Sequence, residues 1–190
     1  FAADSITINA VTDSSDAETT VLANGDKIAD GGITSITLTD AELEQFIVTA
    51  GYGANPFAAG SITLGAVTGN QATVVTHLAK VVNDGVSAIT LASDDVFTTA
   101  VTNNAAALAA GSVSLTNKVV ADAADITAVV NNHTKLADGQ VTSITLTETQ
   151  LNTVAGTAGA NLDDAFAADS ITINAVTDSS DAETTVLANG

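Results

Sequence analysis

Residues Phe166–Gly190 read FAADSITINAVTDSSDAETTVLANG, and residues Phe1–Gly25 read the same, letter for letter. The two stretches lie 165 residues apart, so the 190-residue chain holds one full period and the first 25 residues of the next. Drift does not produce such agreement; duplication does. Periodicity has to be settled first, because a repeating chain has no conventional domain boundary. The expected organisation is one tandem block over 1–165, with 166–190 opening an identical second block, both cut from a longer array.

Within the block a short word recurs: Ser5-Ile-Thr-Ile8, Ser35-Ile-Thr-Leu38, Ser61-Ile-Thr-Leu64, Ala88-Ile-Thr-Leu91, Ser112-Val-Ser-Leu115 and Ser143-Ile-Thr-Leu146. It starts again at Ser170-Ile-Thr-Ile173, and the spacings of 30, 26, 27, 24, 31 and 27 average about 27 residues. Alternation of apolar and hydroxyl side chains is the period-2 signal of a strand with one buried face. The expected strand core is Ile6, Ile8, Ile36, Leu38, Ile62, Leu64, Ile89, Leu91, Val113, Leu115, Ile144 and Leu146. Thr7, Thr37, Thr63, Thr90, Ser114 and Thr145 would then face outward at equivalent positions.

Helix starts follow most strands. Ser15-Asp-Ala-Glu18, Thr39-Asp-Ala-Glu42, Thr68-Gly-Asn-Gln71 and Thr147-Glu-Thr-Gln150 all match the capping box, in which two side chains satisfy free amides of the first turn. Apolar residues continue at helical spacing, as in Leu43, Phe46 and Ile47, or Val74, Val75, Leu78, Val81 and Val82. Gly51-Tyr-Gly53 and Asn131-Asn132 read as helix ends.

The coils also alternate in type. Phe1-Ala-Ala-Asp4, Phe57-Ala-Ala-Gly60, Leu108-Ala-Ala-Gly111 and Phe166-Ala-Ala-Asp169 precede some strands, whereas Asp30-Gly31, Asp84-Gly85 and Asp138-Gly139 precede the others. Lys27 and Lys135 each sit three residues before their Asp-Gly. Six strand–helix coils thus form three pairs per block. The fold class expected is α/β: an open βα-solenoid of parallel strands joined by helical crossovers, its coils of two alternating types. A closed eight-stranded βα barrel is the competing geometry, but it needs a fixed number of units, and a pattern that restarts at residue 166 needs an open end.

Composition fits that picture. Apolar residues make up 46% of the chain while aromatics are only 3%, which suits small, uniform layers of aliphatic side chains. Four lysines (Lys27, Lys80, Lys118 and Lys135) and no arginine face 22 acidic residues, for a net charge of −18. Such a surface repels phosphate backbones and anionic lipid, so neither nucleic acid nor a membrane is an expected partner. The expected partner is self, by end-to-end stacking and lateral bundling. The chain has no cysteine, which excludes disulfides, thiolate metal sites and cysteine nucleophiles.

Candidate chemistry is sparse. His77 and His133 have no repeated counterpart and no Ser or Asp arranged beside them for catalysis. Hard oxygen ligands in turns suit calcium, and the candidate turns are Asp13, Asp16 and Glu18, and Asp163, Asp164 and Asp169, with Asp94 and Asp95 at another helix start. Calcium is the single cofactor considered. Against it stand the lack of an EF-hand loop or glycine-rich calcium nonapeptide, and the general preference of helix N-termini for acidic residues. The hydroxyl row resembles the Thr rows of ice-binding proteins, although Thr is also simply a good strand former.

The recurring Ser-Ile-Thr-Leu-Thr, the capped Ala/Thr-rich helix and the Asp-Gly turn resemble the tandem repeats of giant bacterial extracellular and cell-surface proteins, including cyanobacterial ones. That resemblance implies secretion, very large size and a role in surface layers, filaments or adhesion, and it supplies no catalytic residues. The expectation is therefore a non-enzymatic, extracellular or cell-surface fibre segment, with an adhesin or ice-binding array as the alternative.

Overall fold

The computed structural model describes residues 1–11, 15–156, 162–174 and 184, and the side chains of these apart from residues 15–17. The chain is a mixed α/β structure of helices and short strands, and every described strand pair is parallel. The sheets are small, and no closed barrel forms among the described residues. No helix among them is long and apolar enough to cross a membrane.

Two compact units make up the chain. Unit 1 comprises Phe1–Ile89 and Asn103–Ala109; unit 2 comprises Thr90–Thr102 and Ala110–Gly190. In chain order the elements are β1 (Ile6–Ile8), α1 (Ser15–Ala23), β2 (Ile28–Ile33), β3 (Ile36–Thr37) and α2 (Asp40–Glu44), which runs on as a π turn over Gln45–Thr49. Then come β4 (Ile62–Thr63), β5 (Gly65–Ala66), α3 (Gln71–Thr76), β6 (Val86–Leu91) and α4 (Asp94–Asn104). Last are β7 (Val113–Leu115), β8 (Val119–Val120), α5 (Ala123–Asn132), β9 (Ser143–Leu146), α6 (Glu148–Ala155) and β10 (Ile171–Ile173).

One rule of register governs both units. Each coil opens on an apolar lead-in residue: Phe1, Ile28, Phe57, Val81, Leu108, Leu136 and Phe166. The residue five positions on pairs with the lead-in of the next coil. In unit 1 these pairs are Ile6 with Ile28, Ile33 with Phe57, Ile62 with Val81, and Val86 with Leu108; in unit 2 they are Val113 with Leu136 and Val141 with Phe166. Three residues later, Ile36 pairs with Ile62, Gly65 with Val86, and Ile144 with Ile171.

This register corrects one sequence expectation. The Ser-Ile-Thr-Leu words are not structurally equivalent throughout, because Ile6, Ile62 and Val113 lie five residues after their lead-in, whereas Ile36, Ile89 and Ile144 lie eight after theirs. Thr37 therefore faces Thr63, and Thr145 faces Thr172. The words holding Thr7, Thr63 and Ser114 instead meet the next coil at its lead-in, Ile28, Val81 or Leu136. The outward hydroxyls form pairs, and no continuous row runs through the described strand pairs. Backbone pairing is set by the turn that begins each coil, and the side-chain word adapts to it.

The aliphatic side chains of the words fill the core. Ile36, Leu38, Ile62, Leu64, Ile89, Leu91, Val113, Leu115, Ile144 and Leu146 are all buried, as are the lead-ins Ile28, Phe57, Val81, Leu108 and Leu136. Ile6 and Ile8 are only half-buried. Fully burying one such side chain is worth about 1.5–3 kcal/mol. The helices add a second layer: Leu43 from α2 and Phe46 from the π turn that continues it, Val74 and Val75 from α3, Phe97 from α4, Val129 and Val130 from α5, and Leu151 and Val154 from α6. In unit 1 the Phe46 ring packs on Phe57 at a centroid separation of 4.7 Å.

The helix starts divide. Thr39 and Thr147 form complete capping boxes with Glu42 and Gln150. Thr68 does not: α3 starts at Gln71, after Asn70 at φ 49 with no side-chain cap. The amide of Gly69 is taken by the Asp40 carboxylate from the preceding coil, at 2.7 Å, so the loop is tied down from outside. The side chain of Ser15 lies outside the described residues. Val81 and Val82 belong to no helix, since α3 ends at Thr76, a 3₁₀ turn covers Leu78–Lys80, and Val81 joins the strand register.

Candidate functional site

The feature that repeats most faithfully is the turn at the start of each coil. Three residues after every lead-in stands a residue in the left-handed region: Asp4, Gly31, Gly60, Asp84, Gly111, Gly139 and Asp169, with φ between 53° and 66°. That conformation aims the residue's amide across the gap between coils. In unit 1 Gly31 N donates to Asn55 O (2.7 Å), Gly60 N to Ala79 O (3.2 Å) and Asp84 N to Ala106 O (2.8 Å); in unit 2 Gly111 N donates to Thr134 O (2.9 Å) and Gly139 N to Asp164 O (2.7 Å). Each acceptor lies two residues before the next lead-in. The amide bond and the strand pair beside it make a lock between consecutive coils.

The lock explains residue choice. Only Gly, and less readily Asp or Asn, adopts positive φ without serious strain, and all seven positions hold Gly or Asp. It also shifts one Asp-Gly alignment by a residue. In Asp30-Gly31 and Asp138-Gly139 the glycine is left-handed, but in Asp84-Gly85 it is the aspartate. Gly85 is needed for another reason: a Cβ there would sit 2.7 Å from Val81 Cγ1.

Polar side chains complete the contacts between coils, and the sequence reading missed them. Asp40, 6% exposed, holds the Gly69 amide. Gln140, 8% exposed, accepts from Leu115 N at 2.8 Å and donates to Asp138 O at 3.1 Å. Asn103 Nδ2 donates to Val75 O (2.7 Å) and Asn104 Nδ2 to Leu78 O (3.2 Å). Tyr52 donates its hydroxyl to Ala23 O at 3.2 Å, over Gly25, whose lack of a side chain makes room for the ring. The signal that was available is spacing: each of these residues acts one coil away from its own position.

Of the acidic turns read from the sequence, Asp163, Asp164 and Asp169 line one open pocket together with Asp138. Asp13 and the side chain of Asp16 lie outside the described residues, and Glu18 stands in α1. Asp163 is engaged locally, accepting from Ala165 N at 2.9 Å and lying 3.2 Å from His133 Nδ1. Asp169 is a left-handed turn residue, and the Asp164 carbonyl is part of the lock. His77 follows α3 with Nδ1 2.8 Å from Thr73 O, and His133 opens a 3₁₀ turn beside Phe166. His133 takes the place of Gly25, the first residue of the corresponding 3₁₀ turn.

Among the described residues, the one group of three carboxylates whose oxygens come within 4.8 Å of one another is Asp95, Asp122 and Asp125. Asp95 was named as part of the Asp94–Asp95 pair; its partners come from the start of α5. Asp125 is buried and accepts from Thr98 Oγ1 at 2.5 Å. The charge of Asp125 holds the Asp95 carboxyl above the ordinary carboxylate range, with smaller contributions from lost hydration and from Asp94 and Asp122. Three carboxylates so placed match the oxygen donors of a hard divalent cation. They are also where the positive end of a helix dipole favours acidic side chains. No protein-family model matches the chain, and no curated protein or solved structure is significantly similar to it.

Proposed function

We propose that this chain is a structural segment of a large extracellular or cell-surface fibre, a rigid acidic βα-solenoid in which one coil stacks on the next. The observation that carries the reading is the lock. The left-handed residue recurs after every lead-in, and from Gly31 onward the same amide bond and the same strand pair recur at each described step within each unit. The sequence then re-enters that pattern, unchanged over 25 residues, after one period of 165. A pattern that consumes its buried groups in holding coils together is suited to bearing load along the stack. Stretching such a stack would have to break parallel strand hydrogen bonds and expose aliphatic core together. The charge of −18 keeps such a surface soluble and free of nucleic acid.

Two measurements test this. The denatured polypeptide from its source should have a mass of many multiples of the block; a mass near 18.7 kDa would require separate subunits joined end to end. Recombinant chains of one, two and four blocks should grow in contour length in proportion to block number, by small-angle scattering. Chains that instead behave as beads on flexible tethers would overturn the rigid-solenoid reading.

A further inference from the structure

The lock takes up the nitrogen on which a chemical weakness of the chain depends. In an Asp-Gly pair the glycine amide has no neighbouring side chain to keep it from the aspartate carboxyl. Its nitrogen can bond to the aspartate Cγ, losing its proton as the carboxyl loses hydroxyl, so that one water leaves and a five-membered succinimide ring remains. Water then adds to either ring carbonyl and returns aspartate or isoaspartate, the latter with one extra carbon in the main chain. The chain has three such pairs, Asp30-Gly31, Asp84-Gly85 and Asp138-Gly139, and all three aspartates are exposed. Gly31 N donates instead to Asn55 O and Gly139 N to Asp164 O, both at 2.7 Å. Gly85 N donates to Val82 O at 3.0 Å, inside its own turn.

We infer that the coil lock gates isoaspartate formation at Asp30-Gly31 and Asp138-Gly139, so that each pair becomes a modification site only when its two coils separate. To attack, the glycine nitrogen has to give up its proton and swing toward its own aspartate by rotation about the Asp Cα–C bond. Donation to the next coil opposes both steps, because the proton is shared with a carbonyl and the nitrogen is held facing across the gap. The bonds that follow fix the same stretch of chain: Ile33 N donates to Pro56 O and Val141 N to Ala165 O, both at 2.9 Å. Reaction would leave a lasting mark. The extra carbon falls between lead-in and partner residue, Ile28 to Ile33 or Leu136 to Val141, whose spacing sets the pairing with Phe57 and Phe166. Asp84-Gly85 stands apart, since its glycine amide is held within one coil and its aspartate is the lock donor. Nothing in this chemistry depends on what the chain assembles into.

The test is to incubate the full chain at neutral pH and map isoaspartate by electron-transfer mass spectrometry, beside synthetic peptides spanning residues 26–34 and 134–142. Both pairs should convert at least about tenfold more slowly in the folded chain than in the peptides. Phe57→Ala removes the side chain of the residue paired with Ile33. It should accelerate conversion at Asp30-Gly31 in proportion to amide exchange at Gly31, leaving Asp138-Gly139 slow. Phe166→Ala should do the reverse. Where either variant lacks native circular dichroism, the milder replacement by Leu takes its place. Peptide-like rates in the folded chain would overturn the inference. So would a folded Phe57 variant in which Gly31 exchanges faster while Asp30 converts no faster, or in which both pairs accelerate together.

Discussion

Gln140 hands its side-chain oxygen to the amide of Leu115, 2.8 Å away, where the preceding pair of coils uses backbone alone. There Leu64 N donates to the carbonyl of Gly85 at 3.0 Å. Gly85 and Gln140 each stand four residues after a lead-in, Val81 and Leu136, so the two bonds occupy the same step of the register. A buried amide must be satisfied, and a glutamine side chain can reach an acceptor position that the local backbone does not supply.

Gln140→Ala should therefore leave the Leu115 amide without its acceptor. The expected cost is about 1–3 kcal/mol in urea unfolding. Hydrogen exchange at Leu115 should accelerate with it, while Leu64, held by Gly85, keeps its protection.

The left-handed turns give a prediction with two signs. Asp84 sits at φ 56 and Gly139 at φ 63 in the same role. Asp84→Gly relieves backbone strain and should leave stability unchanged or raise it. Gly139→Ala should cost about 1–2 kcal/mol, seen as a lower urea midpoint at unchanged m-value.

Core substitutions should report the packing within each unit directly. Phe57, 0% exposed and packed on Phe46, should cost about 3–5 kcal/mol when replaced by Ala. Ile36→Asp buries an unpaired carboxyl group, whose charged form costs far more than the roughly 2–7 kcal/mol of a neutral polar group, and should markedly lower the melting temperature. A chain carrying Ile36→Asp with native melting would contradict the packing described.

Asp95 sets a pH dependence. Its folded-state pKa is raised, chiefly by Asp125, so the folded protein keeps a proton that the unfolded chain has already released. Its favourable contribution is fully present below the ordinary carboxylate pKa and is lost as pH rises through the raised value. Asp95→Asn should accordingly raise Tm at pH 7 and lose that advantage as the pH falls below the ordinary carboxylate range. Added sodium chloride should narrow the same difference by screening the cluster.

Much was legible in the chain itself. The identity of Phe1–Gly25 with Phe166–Gly190, the apolar words and the capping boxes at Thr39 and Thr147 all follow from local rules. Apolar alternation selects a strand, and a Thr with Glu or Gln three residues on satisfies a helix start whatever surrounds it. Asp30-Gly31 and Asp138-Gly139 likewise announced turns, because positive φ is a demand on a single residue.

What the sequence could not assign was which residue meets which across the gap between coils. The words at Ile36 and Ile62 look alike and do pair; those at Ile62 and Ile89 look alike, yet Ile62 takes Val81 as its partner. Asp40 and Gln140 carry no local mark, because the amides they satisfy, Gly69 and Leu115, belong to other coils. The sequence by itself determined the period, the strand and helix segments and the residues fit to turn. Tertiary structure alone decided register and the polar ties between coils. The reason is physical: those bonds join groups about one coil apart, and neither partner's neighbours in sequence record the match.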